Sequence, residues 1–277
     1  VMKTARKFLR NGLGVIGAVI ILALIVIAIF APQIAPFDPN AQDYNKVMMP
    51  PDGEHLFGTD DLGRDIFSRV VYGARISIQA ALISVGIAML IGVPIGLLSG
   101  YYRGFWDEWV VMRSVDAMQA FPFLILALAI SAVLGSGFGN AMLAIGIGFA
   151  PAFIRITRGQ VLSLRNMEYI QAARSVGVKD ARIIFRHILP NALNPIVIQA
   201  TLAMASGIIA EASLSYLGLG VQPPTPSWGS MLNQAQTLMS VAPYATFYPG
   251  IAIFLVVLGF NLLGDGLQQV LDPRARK

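Results

Sequence analysis

Met167–Pro190, MEYIQAARSVGVKDARIIFRHILP, is a charged, helix-prone island in a chain that is otherwise mostly apolar. Asn166 is placed to cap a short helix running to about Val176, with Glu168 in its first turn against the positive end of the helix dipole. Gly177 falls just past that end, where a left-handed residue lets the chain turn. A second short helix starts at Asp180 and is predicted to stop at Pro190, which lacks the N–H an α-helix requires. On the first helix Tyr169, Ala172, Ala173 and Val176 share one face, and Glu168, Gln171 and Ser175 another. The alanines let a partner surface approach the backbone closely, while Tyr169 supplies one large anchor with a polar tip. On the second helix Ala181, Ile184, Phe185 and Ile188 form the apolar stripe, and Arg182 and Arg186 point elsewhere. The pattern reads as helix, hinge, helix.

The surroundings of this island set the class. Of 277 residues, 56% are hydrophobic and 13% charged, too apolar for one or two soluble domains and fitting for a membrane protein. Without cysteine, neither a disulfide framework nor a thiolate metal site is available, and two histidines far apart argue against a metal centre. The net charge of +5 comes from basic residues beside apolar spans, as in cytoplasmic membrane loops, and no aromatic-interleaved basic patch suggests nucleic acid.

Six spans are expected. Residues 13–31 carry no charge and are long enough to cross a hydrocarbon core of about 30 Å. Lys3, Arg6, Lys7 and Arg10 precede them without an acid, which places 1–12 in the cytoplasm. A cleaved signal peptide is the competing reading, but the run exceeds a typical h-region and shows no small-residue cleavage site. Residues 32–75 form an external, proline-broken segment in which, up to Ala74, seven acids face Lys46, Arg64 and Arg69. Within it HLFGTDDLGRDIFSRVVYGAR is predicted to form an amphipathic helix capped near Thr59 or Asp60. Asp61 and Asp65 read as members of a solvated or salt-bridged face with Arg64 and Arg69 rather than as an acid–base pair.

The core, 76–266, opens with a second span from Ile76 to Gly100, where Gly92, Gly96 and Gly100 leave one face bare for close helix packing in lipid. Tyr101 to Asp116 is interfacial, and a third span bent at Pro122 runs to about Leu134. The fourth, Ala141 to about Phe153, flows into Arg155, Arg158 and Arg165. From Arg155 to His187 seven bases face two acids, and four crossings from a cytoplasmic start return the chain to the same side, so charge and parity agree on where 166–190 lies. On the fifth span, Pro195 to about Leu217, Gln199, Ala203, Ser206, Ala210 and Ser213 make a small, polar stripe that suits a transport pathway or tight packing equally. Glu211 is its single acid, expected to be paired or wetted by a cavity. The charge-free loop SYLGLGVQPPTPSWGSMLNQAQ is expected to form turns rather than helix. A sixth span, Phe247 to about Gly264, leads to a cytoplasmic tail, 267–277, with Asp272, Arg274, Arg276 and Lys277.

Gln171-Ala172-Ala173, three residues, Gly177, nine residues and His187-Ile188-Leu189-Pro190 resemble the cytoplasmic EAA loop of ABC-importer permeases. Gln171 stands where that pattern has an acid and His187 where it has an isoleucine, which weakens any role for a carboxylate there and leaves the spacing intact. The words Phe57-Gly58-Thr59-Asp60, Gly63-Arg64-Asp65 and Ser68-Arg69, the loop after the fifth span, and FYPGIAIFLVVLGFNLLGDGLQQVLDP are similar to the second permease subunit of dipeptide, oligopeptide and nickel importers, the DppC/OppC type. The resemblance covers nearly the whole chain. It implies an all-α, MetI-like type I importer permease of six transmembrane helices in a bacterial or archaeal cytoplasmic membrane. The implied partners are a homologous DppB/OppB-type permease, two ABC ATPase subunits that carry ATP and Mg, and an external solute-binding protein; peptides or related small solutes are the implied cargo. It further implies that 166–190 docks into the ATPases, so Tyr169, Gln171, Ala172, Ala173, Gly177, Arg182, Phe185, Arg186 and Pro190 become the candidate coupling residues.

The residues themselves agree on one point. No G-x-x-x-x-G-K-[ST] loop occurs, so nucleotide chemistry resides in another chain and this one is expected to be non-catalytic. An intramembrane hydrolase is disfavoured by the lack of HExxH, GxSxG or a Ser–His pairing. A proton-coupled secondary transporter, favoured by Glu211, and a scaffold without transport are the remaining alternatives.

Overall fold

The computed structural model describes residues 7–271. The charge assignments to Lys3, Arg6, Asp272, Arg274, Arg276 and Lys277 lie outside them. Among the described residues no strand forms beyond an isolated bridge between Thr59 and Asp65. Five helices are long and apolar enough to cross a membrane, or six if one sharply bent pair counts as a span.

The first span, α1 (Gly12–Ile29), is capped by the Asn11 side chain, which accepts from the Gly14 N–H. A single turn, α2 (Ala31–Ile34), opens the segment that packs over the head of α3 (Ile66–Tyr102). The helix expected from Thr59 or Asp60 begins instead at Ile66, where Asp65 caps it by accepting from the Ser68 N–H at 2.7 Å. It does not break near residue 75. Its 37 residues run unbroken into the predicted second span, a rod of about 56 Å at 1.5 Å per residue that outreaches the bilayer core. Asp60 is spent on a different task, accepting from the Arg64 side chain at 2.6 Å, and both Arg64 and Arg69 are buried rather than solvated.

After a reversal at Arg103 and Gly104, both with positive φ, α4 (Trp106–Gln119) starts in a wide π-turn. It meets α5 (Phe123–Leu134) at a bend of 98°. The expected kink at Pro122 is therefore a near right angle, and the 12 residues of α5 reach only about 18 Å. The fourth span, α6 (Phe138–Leu164), passes through Pro151, and α7 (Glu168–Ser175) is the first short helix of the charged island. The second short helix does not end at Pro190: α8 runs from Asp180 to Tyr216 as one 37-residue helix. A π-turn at Ile183–Ile188 precedes the proline, with the Leu189 N–H bonded to the Ile184 carbonyl. That wider turn gives the Pro190 ring the room an α-turn denies it.

The loop after α8 also contains a helix where turns were expected, α9 (Trp228–Ala235), started by a capping box between Ser227 and Ser230. Trp228 inserts its ring against Gly73 and donates Nε1–H to the Val70 carbonyl at 2.9 Å. The last span, α10 (Tyr244–Leu271), runs back against α1, so close that a methyl group on Gly17 would lie 2.5 Å from the Leu263 nitrogen.

The bundle has two chemically different ends. At one, the 30–65 segment caps α3, Phe57 stacks on Tyr248 at 3.8 Å, and Asp38, Asp43, Asp52, Glu54, Asp60, Asp61 and Asp65 gather. At the other, Asn11 donates to Gln269 at 2.8 Å, and Arg155, Arg158, Arg165, Arg174, Lys179, Arg182 and Arg186 gather around the charged island.

Candidate coupling site

The island at the basic end is two short helical units joined by a tight turn, and each part has a local cause. Met167, not Asn166, occupies the N-cap of α7, with no side-chain cap; the Asn166 carbonyl instead accepts from Gln171 Nε2 at 3.1 Å. At its other end Gly177 has φ +77°, and a methyl group added there would meet nothing within 4 Å, so the glycine serves the backbone conformation and not packing. The Gly177 N–H bonds to the Arg174 carbonyl at 3.0 Å and the Val178 N–H to the Ala173 carbonyl at 3.1 Å, the two bonds of a Schellman motif.

What holds the unit to the bundle differs from the faces expected above. Ile170 is fully buried, with Ile183, Ile184 and Ile188, against Leu97 and Tyr101 of α3 and Val161 of α6. Ala173 and Val178 pack on the edge of this cluster. Burying each isoleucine contributes about 1.5–3 kcal/mol, so the unit is fastened as firmly as a core element. Ala181 and Phe185, assigned to the apolar stripe by spacing, face outward because the π-turn rotates the helix and brings Ile183 in. Tyr169, Ala172 and Val176 face outward as well. With Val176 at 79% and Phe185 at 62% exposure, these side chains form an apolar surface edged by Arg174, Arg182 and Arg186. Gln171 and Pro190 are also exposed.

Tyr101 is the joint that spacing did not reveal. Its hydroxyl donates to Asp180 at 2.5 Å and accepts from Arg174 at 3.0 Å, while the Arg174 guanidinium lies 5.4 Å from the ring centre. One residue of α3 thus holds both sides of the hinge, and its tie to Arg174 holds that guanidinium above the usual arginine pKa. The end of α3 is itself fixed by Arg165, which donates to the Tyr101 carbonyl at 2.9 Å and fills a helix terminus that lacks intrahelical donors. Arg158 forks onto Asp107 at 2.6 and 2.7 Å, with Ser99 donating to the same carboxylate, and Asp107 is 2% exposed. The glycine row lies on the same helix pair: added methyl groups on Gly92, Gly96 and Gly100 would stand 2.5 Å from Phe153 Cβ, 2.7 Å from the Ile154 carbonyl oxygen and 2.8 Å from Val161 Cβ.

A family description, binding-protein-dependent transport system inner membrane component, matches residues 92–277, and that of the N-terminal transmembrane domain of oligopeptide transport permease C matches residues 2–51. The chain belongs to this permease family. It is 47% identical to the glutathione transport system permease protein GsiD of Pectobacterium atrosepticum, over 98% of this chain and 90% of the relative. It is 46% identical to the dipeptide transport system permease protein DppC of Alkalihalophilus pseudofirmus, over 98% of this chain and 89% of the relative. Among solved structures, an inward-facing form of the MetNI methionine ABC transporter superposes with a TM-score of 0.61 at 20% identity, covering 74% of this chain and 96% of that one. The permease thus has the MetI-like importer fold in a multi-pass membrane protein.

The stripe on α8 separates in three dimensions. Ser206 is exposed, and Gln199 and Ser213 are half-buried, on one side of the permease, together with Asn191, Ile209 and Tyr216. Ala203 and Ala210 are buried in two apolar clusters, Ala203 with Phe153 and Ile196, and Ala210 with Met142 and Leu214. Glu211 lies nearly opposite Ser206 and Ser213 around the helix and is fully buried. It accepts from Ser215 at 2.7 Å, and its second oxygen has no hydrogen-bond partner among the described residues. Among the described residues no salt bridge forms to Glu211.

Proposed function

We propose that this permease passes short peptides or glutathione-like solutes across the cytoplasmic membrane, driven by ATP hydrolysed on separate subunits that grip the 166–190 unit. The observation that carries the reading is mechanical. The second coupling helix has no joint with its span, because α8 continues from Asp180 to Tyr216, and α7 is bolted to α3 and α6 through Ile170 and Tyr101. A displacement of the unit therefore moves three spans as a body instead of being absorbed in a loop. Transport requires that the ATPases bind the inward- and outward-open arrangements with different free energy, since equal binding shifts nothing.

The excess of basic side chains supports a cytoplasmic position for the island and the acidic end as the outer face. A solute-binding protein would meet the acidic end. The α8 face that carries Ser206 and Ser213 is the side on which a second, homologous permease would close the pathway, with Glu211 on the far side and outside it. Cargo in the range of dipeptides and glutathione follows from relatives alike over nearly the whole chain.

The test is uptake by proteoliposomes holding the complete complex, with its binding protein, supplied with a dipeptide or glutathione. Uptake is expected to require internal ATP and to survive an uncoupler. Arg182→Glu with Arg186→Glu is expected to weaken ATPase association, most strongly at low salt, because the repulsion between the new glutamates and an acidic rim is screened as salt rises. Uptake abolished by the uncoupler while ATP remains would overturn the reading in favour of a proton-coupled carrier.

A further inference from the structure

Between the last turns of α3 and the start of α4 lies a groove of about 390 Å³, lined by Ile95, Leu98, Tyr102, Arg103, Trp106 and Val111. Its walls are mostly apolar; Ser99 and Asp107 also line it, and the Asp107 carboxylate is engaged by Arg158 and Ser99. Arg103 stands at the rim, half exposed, and its nearest anion is Glu108 at 3.6 Å, itself in solvent. Such a pair is weak and yields its guanidinium to a stronger anion. The helix beside the groove is oriented for a bilayer surface. Because α4 meets α5 at 98°, it lies across the direction of the span and presents Trp106, Trp109 and Arg113 at helical spacing, with Arg113 5.2 Å from the Trp109 ring centre. Tryptophan, tyrosine and arginine on a transverse helix are the side chains that settle at the headgroup level, and basic pockets between helix ends attract anionic headgroups.

We propose that this groove seats one anionic phospholipid of the leaflet at the basic end, with an acyl chain along Ile95 and Leu98 and the phosphate between Arg103 and Trp106. The occupant is a lipid and not a protein segment because an apolar floor within the span meets a single basic rim, the division of a phospholipid into tail and headgroup. A bound lipid of this kind would brace the α3–α4 corner beside the Arg158–Asp107 pair.

The experiment uses the delipidated permease complex, titrated with dioleoylphosphatidylglycerol or dioleoylphosphatidylcholine and read by native mass spectrometry. Phosphatidylglycerol is expected to be retained preferentially, and Arg103→Gln to lower that retention about five-fold, the weight of one basic side chain at an anionic surface. Arg155→Gln, a half-exposed arginine at the same end outside the groove, is expected to leave it unchanged, and Glu108→Gln to raise it. Trp106→p-benzoylphenylalanine should crosslink to lipid on illumination. Equal retention of the two lipids, equal effects of Arg103→Gln and Arg155→Gln, or crosslinking of position 106 to a protein subunit would each overturn the proposal.

Discussion

Gly177 and Arg158 show how single side chains serve this fold in opposite ways. Gly177 touches nothing through its missing side chain and is required only for its φ of +77°, a conformation that costs an ordinary L-residue about 1–2 kcal/mol. Gly177→Val is therefore expected to distort the hinge, and Gly177→Asn, which tolerates the left-handed region, to keep most of it. The measurement is the amount of solute imported per ATP hydrolysed by the reconstituted complex; equal behaviour of the two variants would place the turn's role elsewhere. Arg158, by contrast, matters through contact, since the carboxylate of Asp107 is buried and would be left without its counter-ion. Glycine at 177 was legible from its place after an amphipathic helix. Tyr101 was not, because a tyrosine at the end of an apolar run usually marks an interface, and only the folded chain brings Asp180 and Arg174 to its hydroxyl.

At the scale of elements, the decisive feature is that the charged island is two lever arms with different attachments. α8 is one rod from coupling helix to far end, whereas α7 is a separate eight-residue helix held by one buried isoleucine, the Arg174–Tyr101 hydrogen bond and its C-terminal turn. Ile170→Ala removes that anchor, with a loss in the range of about 2–5 kcal/mol for a buried large-to-small change. ATPase subunits are expected to stay bound through the head of α8, with import per ATP falling at least ten-fold (about 1.4 kcal/mol of lost coupling). Ile170→Val should behave nearly as the parent. Should Ile170→Ala import normally, α7 is no part of the transmission. Periodicity identified a helix, a hinge and a second helix, yet it placed Phe185 on the apolar stripe and left Ile183 off it. A π-turn carries an additional residue, which rotates everything beyond it by about 100°, and nothing in an apolar repeat announces that insertion.

For the whole molecule, the separation of charge between the two ends is the property that orients it in a bilayer. The absence of cysteine makes this directly measurable. Glu54→Cys at the acidic end and Val176→Cys at the basic end both replace exposed residues. On intact cells a membrane-impermeant maleimide is expected to label position 54 and to reach position 176 only after the membrane is opened. Labelling in the reverse order would invert the topology and remove the ATPases from reach of the coupling unit.

Composition and apolar run length alone determined that the chain is a helical membrane protein, where its long spans fall and which end is basic, because burial in hydrocarbon leaves each span little choice but helix. The glycine row and the hinge were legible for the same reason: they are local requirements of backbone geometry. Tertiary packing alone decided that α8 passes through Pro190, that α4 and α5 meet at a near right angle, and that Ser206 and Ser213 face outward while Ala203, Ala210 and Glu211 are enclosed. A helical repeat shows that a face exists, and which neighbour covers it depends on residues distant in the chain.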